Sequence, residues 1–303
     1  MSSFSPLRYP GGKGRLATYL AEIVELNGLQ KGHYVEPFAG GAGVALELLL
    51  REKVAHIHIN DIDFSIYAFW KSAVYESDEF ADRIMATEIT VDAWQKAKEV
   101  KRNPENASSF ELGFATFFLN RTNRSGILNG GIIGGLNQTG AWKIDCRFNK
   151  TDLANKIRRI GFFRSRISLS NEDASRFMKK VVPTIKPRSL IYIDPPYYVK
   201  GACLYENHYD NEDHACLAET VFGIKRHDWI VSYDNVSAIR KLYRGYNQQK
   251  LDINYSAREY ARGQELMVFC DGLVRPKKIY TSKKEYIEFG RNRHALPLHL
   301  TLC

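Results

Sequence analysis

The chain has 303 residues, 44% of them hydrophobic, enough to bury one large core or two and too apolar for a disordered chain. Lys and Arg outnumber Asp and Glu by 43 to 34, a net charge of +9, which favours a polyanionic partner such as nucleic acid. The five scattered cysteines (Cys146, Cys203, Cys216, Cys270, Cys303) form no C-x-x-C pair, which speaks against a disulfide framework or a zinc site, and no stretch reads as a leader or a membrane span, so the expectation is a cytoplasmic protein with no membrane role and no metal.

In chain order, Leu7-Arg8-Tyr9-Pro10-Gly11-Gly12-Lys13 predicts a rigid turn feeding an amphipathic helix over 16–26. A strand around Tyr34 and Val35 runs into Glu36-Pro37-Phe38-Ala39-Gly40-Gly41-Ala42-Gly43, then into a leucine-rich helix over 44–50: strand, glycine turn, helix. His56-Ile57-His58-Ile59-Asn60 alternates at the strand period and ends at Asp61, which places the two histidines on the solvated face. From about 64 to 161 the pattern is helical, with Trp70, Trp94, Phe110, Phe114, Phe117 and Phe118 at near-helical spacing, read as core. Inside this region Asn120-Arg121-Thr122-Asn123-Arg124-Ser125-Gly126 and the Gly- and Asn-rich 129–140 predict a loop or irregular hairpin. A helix over 152–160, a strand over 167–169 and a short helix after Asn171-Glu172-Asp173 follow. The apolar run Leu190-Ile191-Tyr192-Ile193 then enters Asp194-Pro195-Pro196-Tyr197. A further strand over 229–235 ends in polar residues, 251–253 and 266–269 form a closing antiparallel pair, and a basic, weakly patterned tail begins near 275.

Asp194-Pro195-Pro196-Tyr197 is the stretch with the clearest chemistry. The prolines stop the strand, since each lacks an N–H and holds the preceding residue extended. The turn therefore presents Asp194 and Tyr197 at the carboxyl edge of a sheet, where open α/β folds bind ligands. A carboxylate and the backbone carbonyls that proline leaves intact can accept hydrogen bonds from an exocyclic amine, and Tyr197 can stack on a flat ring. These groups suit an amine on a planar heterocycle, such as N6 of adenine; taken alone, the four residues also read as a proline-rich turn. Upstream, Asp61 ends a strand about twenty residues beyond the first strand, the distance at which an acid reaches a ribose hydroxyl in nucleotide-binding folds. The turn is not G-x-G-x-x-G, which points away from a dinucleotide and toward a smaller adenosyl ligand such as S-adenosylmethionine.

In these motifs and their order the chain resembles the Dam-like, D12-class family of DNA N6-adenine methyltransferases. The resemblance rests on residues 7–13, Pro37-Phe38-Ala39-Gly40-Gly41, Asp61 and Asp194-Pro195-Pro196-Tyr197, and extends to Val231-Ser232-Tyr233-Asp234-Asn235 and Gly263-Gln264-Glu265-Leu266-Met267-Val268-Phe269. It implies an α/β, Rossmann-like S-adenosylmethionine-dependent methyltransferase fold, a mostly parallel sheet with a closing antiparallel strand, plus a mainly helical target-recognition insertion with a hairpin. The implied division is a discontinuous catalytic domain over 1–65 and 165–275, the insertion over 66–164 and a basic tail over 276–303.

The resemblance further implies that S-adenosyl-L-methionine is held by Tyr9, Lys13, Phe38, Gly40, Gly41, Asp61, Asp173 and Asp194. Gly40, Gly41 and Phe38 line its methionine end, Asp61 takes the ribose, and Asp173 stands near the adenine, although Ala174 occupies the place of an expected aromatic. Asp194, Pro195, Pro196 and Tyr197 are the implied catalytic residues. Asn120, Arg121, Asn123 and Arg124 are the implied nucleic-acid contacts, the arginines to phosphates or guanine edges unless they pair with local acids. The implied activity is site-specific transfer to N6 of a flipped-out adenine in double-stranded DNA, by a monomer on the DNA with a restriction endonuclease as a candidate partner. N6 methylation of RNA and a silent DNA-binding relative are the alternatives.

Overall fold

The short apolar runs pair into one seven-stranded sheet in the computed structural model, which describes residues 3–8, 13–198, 209–254 and 262–277. The strands are β1 (His33–Glu36), β2 (His56–Asn60), β3 (Ile167–Ser170), β4 (Leu190–Ile193), β5 (Asp228–Asp234), β6 (Asn247–Asn254) and β7 (Arg262–Phe269), in the order β3-β2-β1-β4-β5-β7-β6. The first five run parallel, and β7 lies antiparallel to both β5 and β6. This is the expected Rossmann-like α/β arrangement with its antiparallel closure. All four residues of β4 are buried, the mark of a central parallel strand covered on both faces. Strand order reverses between β1 and β4, so the crevice outside their carboxyl ends is the switch point at which such sheets take ligands.

Ten α-helices are described: α1 (Ala17–Leu26), α2 (Gly43–Leu50), α3 (Phe64–Tyr75), α4 (Ser77–Ala86), α5 (Val91–Arg102), α6 (Ser109–Thr122), α7 (Lys150–Phe162), α8 (Ala174–Lys180), α9 (Asn211–Phe222) and α10 (Ser237–Leu242). Asp63 caps α3 by accepting from the Ser65 and Ile66 N–H groups, and Ser108 with Glu111 forms a reciprocal capping box on α6; each cap satisfies amides that the first helical turn leaves without partners. Of the aromatic residues read as core, Trp70, Trp94, Phe114, Phe117 and Phe118 are buried and Phe110 packs against them half-buried; Phe69 and Phe80 join them, stacking on Phe117 at 6.0 Å and meeting it edge-on at 5.5 Å.

One expectation is corrected. Asn120 and Arg121 belong to α6, which continues to Thr122 because its last turns are buried and apolar contact outweighs the loop-like composition. The Gly-rich segment beyond it closes through an isolated antiparallel bridge, Asn123 to Ile132, in keeping with the loop or irregular hairpin expected there. Gly126 has a φ of +76°, and a Cβ there would come within 2.1 Å of the Arg8 carbonyl, so only glycine permits this loop to sit against the N-terminal segment.

His56 and His58 do share the less buried face of β2, where they stack with His33 from β1 at centroid distances of 4.8–5.1 Å. Among the described residues no group of three or more His, Cys, Asp or Glu side chains is arranged to hold a metal ion, and no helix is long and apolar enough to cross a membrane.

Candidate active site

The carboxyl edge of the sheet is built from acids. β1 and β5 end in Glu36 and Asp234, Asp61 and Asp194 directly follow β2 and β4, and Asp173 follows β3. The antiparallel β7 brings Glu265 to the same edge, in register with Asp234. Between Asp194 and Glu265 stands Lys13, which opens the short 3-10 turn Lys13–Leu16 ahead of α1.

Lys13 is the hub. Its Nζ lies 3.1 Å from Asp194 Oδ1 and 3.0 Å from Glu265 Oε1, and donates to the Tyr197 hydroxyl at 3.0 Å. The Tyr197 hydroxyl in turn donates to Glu265 Oε1 at 2.9 Å. Ser232, beside Asp194 on the neighbouring β5, donates to Asp194 Oδ1 at 2.6 Å and pairs with the Tyr192 hydroxyl at 2.8 Å. Both the ammonium and the serine thus converge on Oδ1, and the Asp194 side chain keeps 24% of its surface exposed. Tyr197 is 6% exposed, and the turn after it is pinned where the Tyr198 N–H donates to Asp234 Oδ1 at 2.8 Å.

Burial alone would lower the Lys13 ammonium, but Asp194 and Glu265 outweigh it and hold it well above its ordinary value. Burial pushes the Asp194 carboxyl up; Lys13 opposes this and Glu265 adds to it. Lys13 therefore lies between two carboxylates, an acidic setting that suits a cationic ligand.

Toward β1 and β2 the edge becomes a ligand cradle. Gly40 adopts φ +46° and Ala42 φ +44°, left-handed conformations that cost a non-glycine residue on the order of 1–2 kcal/mol. The Gly40 N–H donates to Asp61 Oδ2 at 2.8 Å, and the Asp63 N–H to Asp61 Oδ1 at 3.0 Å. The Trp70 indole holds the Gly40 carbonyl at 2.8 Å. Burial pushes the Asp61 carboxyl up to about 7 against these two donors. Glu36 accepts from the Tyr34 hydroxyl and the Ala45 N–H, both at 3.1 Å, and burial pushes it up to about 8. A small crevice lined by Ala39, Ile59, Asn60, Asp61, Tyr67, Trp70, Leu169 and Ser170 adjoins Asp61. Buried acids raised in this way are ionised by a positively charged ligand and offer a phosphate chain nothing to bind, so the residues present fit the sulfonium of S-adenosylmethionine better than a dinucleotide.

Of the remaining sequence-derived candidates, Phe38 meets Tyr209 edge-on at 5.9 Å. Asp173 is exposed and caps α8 through the Arg176 N–H at 2.9 Å. Tyr9 lies outside the described residues. Lys13, Asp194 and Tyr197 are brought into one cluster, and Gly40 and Asp61 into direct contact.

The implied nucleic-acid contacts divide. Asn120 and Asn123 are fully buried, contrary to the expectation that they face a polymer. Asn120 donates to the Arg8 and Gly126 carbonyls and accepts from the Arg8 N–H; Asn123 donates to the Ile127 and Leu128 carbonyls and accepts from the Trp94 indole. They hold the loop after α6, which carries Arg124, against the N-terminal segment. Arg121 donates to the Arg147 carbonyl at 2.7 Å, while Arg124 is exposed. Burial lowers Arg121 to about 10, and the neighbouring Arg8 and Arg147 contribute to this. Arg8 of the N-terminal segment, Arg121 of α6 and Arg147 act on one another electrostatically, with the Trp142 ring 69% exposed beside Arg147, and make a basic region here.

Sequence reasoning assigned no role to Ser232, Glu265, Tyr192 or Arg147. Ser232 and Glu265 lie in stretches that matched family motifs, yet only the β4–β5 and β5–β7 registers put them beside Asp194 and Tyr197.

No significant match was found among curated proteins. Similar solved structures include a candidate class I S-adenosylmethionine-dependent methyltransferase from Listeria monocytogenes (12% identity, TM-score 0.37, 88% of this chain and 63% of that one). The rRNA methyltransferase AviRa from Streptomyces viridochromogenes is comparable (12% identity, TM-score 0.35, 82% and 83%), as is protein LPL1258 from Legionella pneumophila (12% identity, TM-score 0.33, 93% and 92%). The chain spans less than two thirds of the Listeria protein, and at these scores the likenesses carry no weight for function. The sequence itself is more specific: the family model for D12 class N6 adenine-specific DNA methyltransferase matches residues 9–256, a span that takes in Lys13, the glycine turn, Asp61, Asp194 and Tyr197 but not Glu265, and by that match the chain belongs to this methyltransferase family.

Proposed function

We propose that the protein transfers a methyl group from S-adenosyl-L-methionine to N6 of an adenine extruded from double-stranded DNA, at a specific site. The observation that supports this reading is Asp194 and Tyr197 brought together at the sheet edge around Lys13, with Lys13 and Ser232 both on Asp194 Oδ1 and 24% of the Asp194 side chain exposed. S-adenosylmethionine supplies a methyl group activated by its sulfonium. Gly40, Gly41, Phe38 and Asp61 would hold it, with Lys13, Asp173 and Tyr9 contributing.

A duplex hides N6 in the base stack, and extrusion costs a few kcal/mol. Stacking on Tyr197 would return about 1–3 kcal/mol. Asp194 Oδ2 and the Pro195 carbonyl accept the two N6–H bonds, which favours a more tetrahedral nitrogen and turns its lone pair out of the ring. Asp194 then holds the proton released from nitrogen, with Lys13 and Ser232 keeping Oδ1 in place. Fixed geometry and a preorganised field supply the acceleration.

The crowded arginines Arg8, Arg121 and Arg147, with the exposed Arg124, support a phosphate backbone as partner. In this reading 1–65 and 165–275 form the catalytic part, 66–164 selects the target, and 276–303 is a basic extension. Methylation-sensitive long-read sequencing of DNA incubated with the protein and S-adenosylmethionine is the test. N6-methyladenine in one sequence context is the expected result. Preferential methylation of RNA of equal sequence in a competition, or no adenine methylation, would overturn it.

A further inference from the structure

Glu265 stands on the antiparallel strand β7, outside the Asp-Pro-Pro-Tyr turn and the glycine turn. It is 1% exposed, and one of its oxygens, Oε1, both accepts from the Tyr197 hydroxyl at 2.9 Å and lies 3.0 Å from Lys13 Nζ. Such burial of a carboxylate is costly unless it is paired, and here both partners belong to the reaction site. The Tyr197 ring can serve as a platform for a flat base only if its plane is held, and its hydroxyl is fixed between Lys13 and Glu265. Lys13 would otherwise pair with Asp194 alone; Glu265 shares it, so the trio carries one positive and two negative groups.

We propose that Glu265 is a positioning residue of the methyltransferase site: it fixes the plane of Tyr197 through the hydroxyl and divides Lys13 with Asp194, so that Asp194 stays electron-rich toward the substrate amine. The inference rests on the proposed function, and it predicts two separable effects of Glu265. One is geometric, through Tyr197. The other is electrostatic, through Lys13, and acts on Asp194 together with the other ionisable groups around it: Tyr34 and Glu36 of β1, Tyr192 of β4, Tyr197, and Lys13 itself.

The experiment compares wild type, Glu265→Gln, Glu265→Asp and Tyr197→Phe. Single-turnover methylation of adenine-containing duplex DNA is measured across pH. The Asp194 carboxyl is titrated separately in ligand-free protein by carbon-13 NMR with labelled aspartate, assigned with Asp194→Asn. Glu265→Gln removes a like charge from beside Asp194, so the Asp194 titration and the acid limb of the rate profile move together to lower pH, while the plateau rate falls by ~10²-fold through loss of positioning. Glu265→Asp keeps the charge but not the reach, so its acid limb returns toward the wild-type position while its plateau rate stays low. Combining Tyr197→Phe with Glu265→Gln costs much less than the product of the two single losses, because both break the same contact.

An Asp194 titration that does not move in folded Glu265→Gln would overturn the electrostatic role. Fully multiplicative losses in the double variant would overturn the positional one. Should Glu265→Gln not fold, Glu265→Asp decides: a wild-type plateau rate would refute positioning. Wild-type protein that methylates no adenine would sink the proposed function, yet the NMR titration would still test Glu265.

Discussion

Replacing Lys13 by methionine keeps most of the side-chain volume and removes the cation from the centre of the site. In the wild type the Lys13 side chain is 5% exposed, Glu265 1% and Asp194 24%, so the two carboxylates would be left facing each other with little water to screen them. Removing one partner of a buried ion pair costs about 3–5 kcal/mol. Against a typical total of about 5–15 kcal/mol this is a large fraction, and at roughly 2–4 °C per kcal/mol for larger domains it lowers Tm by about 6–20 °C. The pH dependence identifies the cause. The Asp194 carboxyl is already raised in the folded protein and rises further without Lys13. A carboxyl whose folded value exceeds its unfolded value favours the folded state most below the unfolded value, and that support is lost as pH rises through the folded value. The Lys13→Met deficit should therefore be largest near pH 8 and shrink toward pH 5, and adding Glu265→Gln should recover part of it. Urea unfolding is the assay, since guanidinium salt would screen the charges. A Lys13→Met protein within about 1 kcal/mol of wild type at pH 8, or a deficit that is flat from pH 8 to 5, would refute the picture of Lys13 as the cation that holds the two carboxylates together, given the about 3–5 kcal/mol expected.

Asp194→Ala should abolish methyl transfer while circular dichroism and DNA binding persist; substantial turnover by the folded variant would remove Asp194 from the mechanism. Because burial raises Glu36 to about 8 and Asp61 to about 7, a cationic ligand should ionise them. Binding of S-adenosylmethionine should then release protons near neutrality and tighten as pH rises from 6 to 8, seen by calorimetry in buffers of different ionisation enthalpy. Glu36→Gln should reduce that proton release and flatten the loss of ligand-free stability as pH rises from about 4.5 through 8, a loss that wild type shows because Glu36 binds its proton more tightly folded than unfolded. Arg124→Ala should weaken DNA binding and reduce the salt slope by about one phosphate contact, whereas Asn120→Ala should act mainly on stability, by about 1–3 kcal/mol for the buried groups it leaves without partners; an unchanged Arg124→Ala salt titration would take that residue out of the interface.

The local pattern of this chain already determined much of its fold. Strand-period apolar runs, the glycine turn after β1 and the proline stop after β4 act within a few residues, and sheet order apart, they became the elements they predicted. Asp61 and Asp194 were legible because an acid at a parallel strand end has one place to go, the carboxyl edge. Composition misled at Asn120 and Asn123, polar residues in a polar run, because burial of α6 and the contact with Arg8 are set by distant chain. Only the tertiary structure decided what surrounds Asp194. Ser232 is 38 residues from it in sequence and Glu265 is 68 residues from Tyr197, and they meet because β5 pairs beside β4 and β7 turns antiparallel against β5. Register across a sheet depends on hydrogen bonds between strands far apart in the chain, and no spacing within one strand encodes it.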